Sequence, residues 1–274
     1  MKKVKIIVKK TLLLICSSFI YASFIAPAHA STVWMEDMTW MEIKDHIHSG
    51  YTTAIVPTGG TEQNGPQIVT GKHNIIMRYT AAEIAKKLGN ALVVPVMAYV
   101  PEGRIDPPEG HMMFPGTLSI SDQTFAAVLE DTARSLRQHG FKLICFIGDH
   151  GGSQDIQQQV ADRLTSEWHS EGVRVLQVSD YYNEHNGQVA WTAFMNIDVP
   201  DPEVHAGLID TSELEALDEK GVRDNMRGKR TERDYRTTGA MGDSSLSSSK
   251  LGHHYLQLKI DAAVKQIKHA AAEP

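Results

Sequence analysis

The chain has 274 residues, 42% of them hydrophobic and 22% charged, with 27 basic against 33 acidic side chains and a net charge of −6. That length suffices for one large α/β domain. The acidic balance argues against nucleic acid and anionic membrane surfaces as partners.

Residues 1–30 hold five lysines, no acid, an apolar core from Thr11 to Ile25, and Ala28-His29-Ala30 before Ser31. This is the layout of a secretory signal peptide with a small-residue cleavage site. A membrane anchor needs about 18–20 uninterrupted apolar residues, and Ser17, Ser18, Tyr21, Ser23 and Pro27 interrupt this stretch. The expected mature protein is residues 31–274, a single α/β domain carried across the inner membrane to the periplasm or the exterior, with no membrane anchor retained. It would carry 22 basic and 33 acidic side chains, a net charge of −11. Its one cysteine, Cys145, can form no internal disulfide and reads as a buried, inert thiol.

Along the chain, Thr39–His48 is a short amphipathic helix, with Trp40, Ile43 and Ile47 on one face. Thr53–Pro57 reads as a buried strand, and a glycine-punctuated loop comes after it. Asn74–Leu88 is helical and closes at Gly89, and Ala91–Val96 is an apolar run of strand length. Pro101–Gly116, with four prolines and three glycines, excludes regular structure and reads as an ordered loop or lid. Ser121 caps a helix to His139, Leu143–Ile147 is a third strand, Ser153–Glu171 a helix and Val173–Val178 a fourth strand. Strand and helix alternate, which predicts a parallel sheet with crossover helices on both faces. Tyr181–Asp201 reads as a cap over the sheet edge, a helix runs through Leu217, and Lys250–Ala270 closes the chain as a helix. Arg223–Thr238 is charge-rich and solvated, and Gly239–Ser249 is a loop.

Glu62, Asn64 and His73 lie in the loop after the first strand, and His150 comes just after the third. In a parallel sheet the carboxyl ends of neighbouring strands lie side by side, and ligands bind in the crevice there. One carboxylate and two imidazoles meeting in that crevice make a divalent-metal site.

The runs PTGGTEQNGPQIVTGKHN, EGHMMFPGTLSIS, GDHGGSQ, HAGLIDTS and TTGAMGDSSLSSSKLG resemble, in order and spacing, the creatininase (creatinine amidohydrolase) family. The resemblance spans roughly Thr53 to Ile267. It implies a parallel α/β fold, one or two divalent ions at the strand ends, hydrolysis of cyclic or linear amides, and a homo-oligomer, with the hexamer as the family form. By the same resemblance Glu62 and His150 are metal ligands, and His205 is a proton-transfer residue. Asp210 stands where a glutamate is usual, as a further ligand or catalytic group. Asn64 and Gln67 stand where histidines are common, and His73 where an aspartate usually bridges two metals.

Neutral imidazole offers one nitrogen to one metal, so the bridge is lost. The expectation is one ion per subunit, held by Glu62, His73, His150 and Asp210, with zinc favoured over manganese or iron. His205 and Asp210 are the catalytic candidates, in a metal-dependent amidohydrolase of a small-molecule substrate. The oxyanion would be received by the metal and the Gly151 and Gly152 amides, with Asp149 orienting a ligand histidine. Two other readings stay open: a metal-free solute-binding protein of the envelope, and a mononuclear iron enzyme. Trp168 and Trp191 are expected to be exposed and to need cover in an assembly.

Overall fold

Strand side chains alternate between faces, and in the two central strands both sets are apolar. Ile55, Cys145 and Ile147 belong to one core cluster, and Ala54, Val56, Ile144 and Phe146 to the other, so both faces of the sheet must be covered. The computed structural model describes residues 32–199 and 201–272. The expected signal peptide lies outside the described residues. In chain order the first elements are α1 (Trp40–His48), β1 (Thr53–Thr58), α2 (Lys72–Leu88), β2 (Ala91–Val93), α3 (Asp122–Gln138), β3 (Leu143–Gly148) and α4 (Gln154–Trp168). After them come β4 (Arg174–Gln177), α5 (Gln188–Phe194), α6 (Leu208–Leu217), β5 (Lys229–Arg230), α7 (Glu232–Thr238), β6 (Gly242–Asp243) and α8 (Ser249–Ala272).

The sheet is parallel throughout, in the order β2-β1-β3-β4. Met77, Ala81 and Ile84 of α2 and Ile260, Ala263 and Ile267 of α8 fill one face. Phe125 and Leu129 of α3 and Val160 and Leu164 of α4 fill the other. Full burial of one such aliphatic or aromatic side chain stabilises the fold by about 1.5–3 kcal/mol. This is the three-layer α/β arrangement that the alternation of elements predicts. Among the described residues no helix is long and apolar enough to cross a membrane.

The helix ends obey local chemistry. Thr39 and Glu42 form a capping box on α1, Ser121 accepts from the Thr124 amide at the start of α3, and Gly89 ends α2 with a left-handed φ of 79°. Two expectations are corrected. The strand expected over Ala91–Val96 stops at Val93 because Pro95 has no N–H to give, and pairing resumes only as a bridge between Thr58 and Met97. Trp168, expected at the surface, is 1% exposed in the core between α3 and α4. Its length lets it reach inward from the last turn of α4. Cys145 is fully buried in β3, and burial pushes its thiol well above the usual range.

Candidate metal centre

Thr58 and Gly148 pair in register at the carboxyl ends of β1 and β3, so the loops that leave them start side by side. The β1 loop carries Glu62 into the crevice, and the turn after β3 carries Asp149 and His150. Glu62 is 1% exposed and His150 7%. A third contributor is the proline- and glycine-rich stretch, which runs over the same edge. Its Glu102 is 2% exposed, and His150 Nε2 lies 2.8 Å from Glu102 Oε2. The Glu102 amide donates to Ser119 Oγ at 2.9 Å and the His111 amide to the Glu102 carbonyl at 3.1 Å, which folds His111 back toward the crevice. His111 Nε2 then lies 3.1 Å from Glu62 Oε2. Gly60 permits this: a Cβ there would collide with Glu102 Oε1.

Glu62, Glu102, His111 and His150 each offer a ligand atom, and these atoms all lie within 4.8 Å of one another. Their near contacts are ion pairs that fall outside good hydrogen-bond geometry. Glu62 Oε2, both Glu102 oxygens and His150 Nδ1 are buried without a hydrogen-bond partner, an arrangement that costs free energy unless something else satisfies them. Burial would raise the Glu62 carboxyl, but His150 and His73 hold it well below the usual range. Burial, with Glu62 nearby, pushes Glu102 up to about 7. Burial disfavours a charged His150, yet the two carboxylates outweigh it and raise the ring to about 9. Burial takes His111 down to about 4. Two carboxylates and two imidazoles aimed at one point suit a divalent ion, which would displace the protons that otherwise relieve the repulsion between the carboxylates.

The remaining sequence candidates lie in the same cavity, of about 520 Å³, but are engaged differently. Both ring nitrogens of His73 are taken: Nε2 is 2.7 Å from Glu62 Oε1 and Nδ1 2.8 Å from Asp149 Oδ2. His73 sits in the first turn of α2, one residue after Lys72, not in the preceding loop. Asp210 is engaged as well, and stands outside the Glu62, Glu102, His111 and His150 group. Its Oδ2 pairs with Lys72 Nζ at 2.7 Å and accepts from the Ala206 amide at 2.8 Å. That contact steadies Ala206, a non-glycine residue at φ 59°, and with it the turn bearing His205. His205 Nε2 lies 3.0 Å from the Gln63 carbonyl, and its Nδ1 3.8 Å from Glu62 Oε1. Burial lowers its pKa, so the ring is neutral near pH 7.

Asn64 and Gln67 have structural tasks, donating to the carbonyls of Glu62 at 3.0 Å and Ala206 at 2.6 Å. Gln63 Nε2 joins two rings, at 2.8 Å from His111 Nδ1 and 3.1 Å from His205 Nε2. Glu102 and His111 were not found by sequence reasoning. The one available signal was chemical: two ligand-type side chains in a stretch too rich in proline and glycine to be a core element.

Residues 36–267 match the family model described as Creatininase: Creatinine amidohydrolase. The chain belongs to the creatininase family. A creatinine amidohydrolase of Pseudomonas putida is 25% identical over 121 residues, 44% of this chain and 46% of that protein. A mycofactocin precursor peptide peptidase of Mycolicibacterium smegmatis is 26% identical over 173 residues, 61% of this chain and 59% of that protein. The chain thus spans about half the length of these curated relatives. A solved structure described as "Creatininase Mn" superposes with a TM-score of 0.73 at 20% identity, over 89% of this chain and 100% of that one. At that identity the likeness is one of fold.

Proposed function

We propose that this creatininase-family protein is a metal-dependent hydrolase of a C–N bond in a small molecule, with one divalent ion held by Glu62, Glu102, His111 and His150. The observation that carries the reading is that two carboxylates and two imidazoles bring ligand atoms within 4.8 Å of one another at the edge of the cavity, with three of the buried carboxylate oxygens lacking a hydrogen-bond partner. The two curated relatives act, by their names, on creatinine and on a precursor peptide, so the bond class supports the reading and the substrate stays open. Two nitrogen and two carboxylate donors favour zinc, with manganese next and iron third.

When bound, the ion supplies Lewis acidity, which activates water and polarises a carbonyl oxygen. His205, neutral and on the cavity wall, takes up a proton and returns it to the leaving nitrogen. Asp210 and Lys72 hold the His205 turn in place. Gly151 and Gly152 line the cavity before α4, where backbone amides at a helix start receive developing negative charge.

Elemental analysis of protein purified without chelator or nickel affinity tests this. One zinc or manganese ion per chain is expected, lost in Glu102→Gln and in His111→Ala. Two ions per chain, none, or full retention in both variants would overturn the assignment. Export with cleavage before Ser31, and assembly into a homo-oligomer with the hexamer first, complete the proposal. They are checked by the N-terminal sequence of protein from fractionated cells and by light scattering at micromolar concentration.

A further inference from the structure

We infer that His73 and Asp149 form a positioning relay that sets Glu62 for the metal, and that neither is itself a ligand. The inference rests on the mononuclear reading above. Three parts of the fold that lie far apart in sequence converge on one carboxylate. Asp149 Oδ1 receives Lys259 Nζ of α8 at 2.8 Å and the Tyr181 hydroxyl, from the turn after β4, at 2.9 Å. Its other oxygen meets His73 Nδ1 of α2. Lys259 is fixed in turn by Glu213 of α6, 3.1 Å away, whose second oxygen accepts from Gln188 Nε2 at 2.6 Å. All of these side chains are buried.

The far end of the relay is Glu62. His73 Nε2 engages Oε1 at 2.7 Å, which leaves Oε2 as the oxygen turned toward His111 and His150 and without a hydrogen-bond partner. A carboxylate on a loop can rotate about its terminal bond, and a fixed donor on one oxygen selects which oxygen faces the ion. A ring with both nitrogens engaged by carboxylates has no nitrogen left for the Glu102, His111 and His150 cluster. Partners of this kind commonly change metal affinity by about 10–100-fold when removed.

The test titrates metal-depleted protein with Co²⁺, whose visible absorption reports the number and type of ligands. Wild type should bind one Co²⁺ per chain; absence of binding would sink the metal reading itself. In Asp149→Asn the affinity should fall about 10–100-fold with one ion still bound at saturation. His73→Gln keeps an N–H donor for Glu62 and should bind more tightly than His73→Ala, with the Co²⁺ bands of wild type. Loss of one ligand's worth of the Co²⁺ spectrum in His73→Gln would make His73 a ligand and overturn the inference. Unchanged affinity in Asp149→Asn would overturn it equally. Should Asp149→Asn fail to fold by circular dichroism, Tyr181→Phe removes one of the contacts on Asp149 and keeps the ring. A severalfold weakening is then expected, and no change would count against the relay.

Discussion

Two parts of the molecule use the same ionic chemistry in opposite settings. On the outer faces of α3 and α4, Arg134 reaches Glu130 at 2.7 Å and Glu167 at 2.8 Å, and Arg163 reaches Glu130 at 2.7 Å. Beneath the sheet edge, Lys259 reaches Asp149 and Glu213 at nearly the same distances, with every partner buried. Water and salt screen the first network, and its members lose little when parted. In the second, each charge left alone would be stranded in a medium that cannot solvate it. Distance alone does not tell these networks apart; the consequence of removing one member does.

The sharpest break is Lys259→Met. It strands Asp149 and Glu213 together and should cost about 3–5 kcal/mol of stability, read from denaturant unfolding; a cost below about 1 kcal/mol, the range of exposed pairs, would make the buried network no different from the surface one. The next effect concerns the metal. Free Zn²⁺ at about a hundred times its dissociation constant should raise the unfolding free energy of wild type by about 2.7 kcal/mol, and leave Glu102→Gln unchanged. A smaller effect is expected at Gly239. Its φ is 70°, and a Cβ there would collide with Gln63 Oε1. Gly239→Ala should cost about 1–3 kcal/mol and disturb His111 and His205 through Gln63. Gly89→Ala, at φ 79° with open space around it, should carry only the backbone cost.

The smallest effect belongs to the surface network. Arg163 and Arg134 hold the Glu130 carboxyl down to about 2. Its contribution is therefore present above the ordinary carboxylate range and fades as pH falls from about 4.5 toward 2. Glu130→Gln should cost less than about 1 kcal/mol at neutral pH and nothing once the carboxyl is protonated, by thermal melting across that range. A larger or pH-independent loss would place Glu130 in packing instead.

A similar division, between backbone pattern and long-range pairing, separates the features that were legible in the sequence from those that were not. β1 and β3 are continuous apolar runs, and the parallel arrangement brings the loops that leave them to one edge, so Glu62 and His150 were legible as neighbours. Glu102 and His111 were not, because their position depends on a loop path through Gly103, Gly110 and Ser119 that no periodicity encodes. His73 and Asp210 were placed in the right cavity, but their partners, Asp149 and Lys72, are set by contacts between elements. A ligand-type residue near a cluster and a ligand-type residue already engaged look alike in one dimension. Pro95 was visible in the sequence, and its missing N–H is the physical reason the second strand ends early.

The buried position of Cys145 has a practical consequence. It is the one cysteine among the described residues, and thiol reagents attack the exposed thiolate, a form that burial denies it. The folded domain is therefore silent to maleimides as it stands. Met113, 58% exposed and two residues beyond His111, can be replaced as Met113→Cys to give a single reactive handle on the loop that carries two of the proposed ligands. A spin label or fluorophore there would report in real time whether that loop moves as metal or substrate enters, whatever the substrate proves to be.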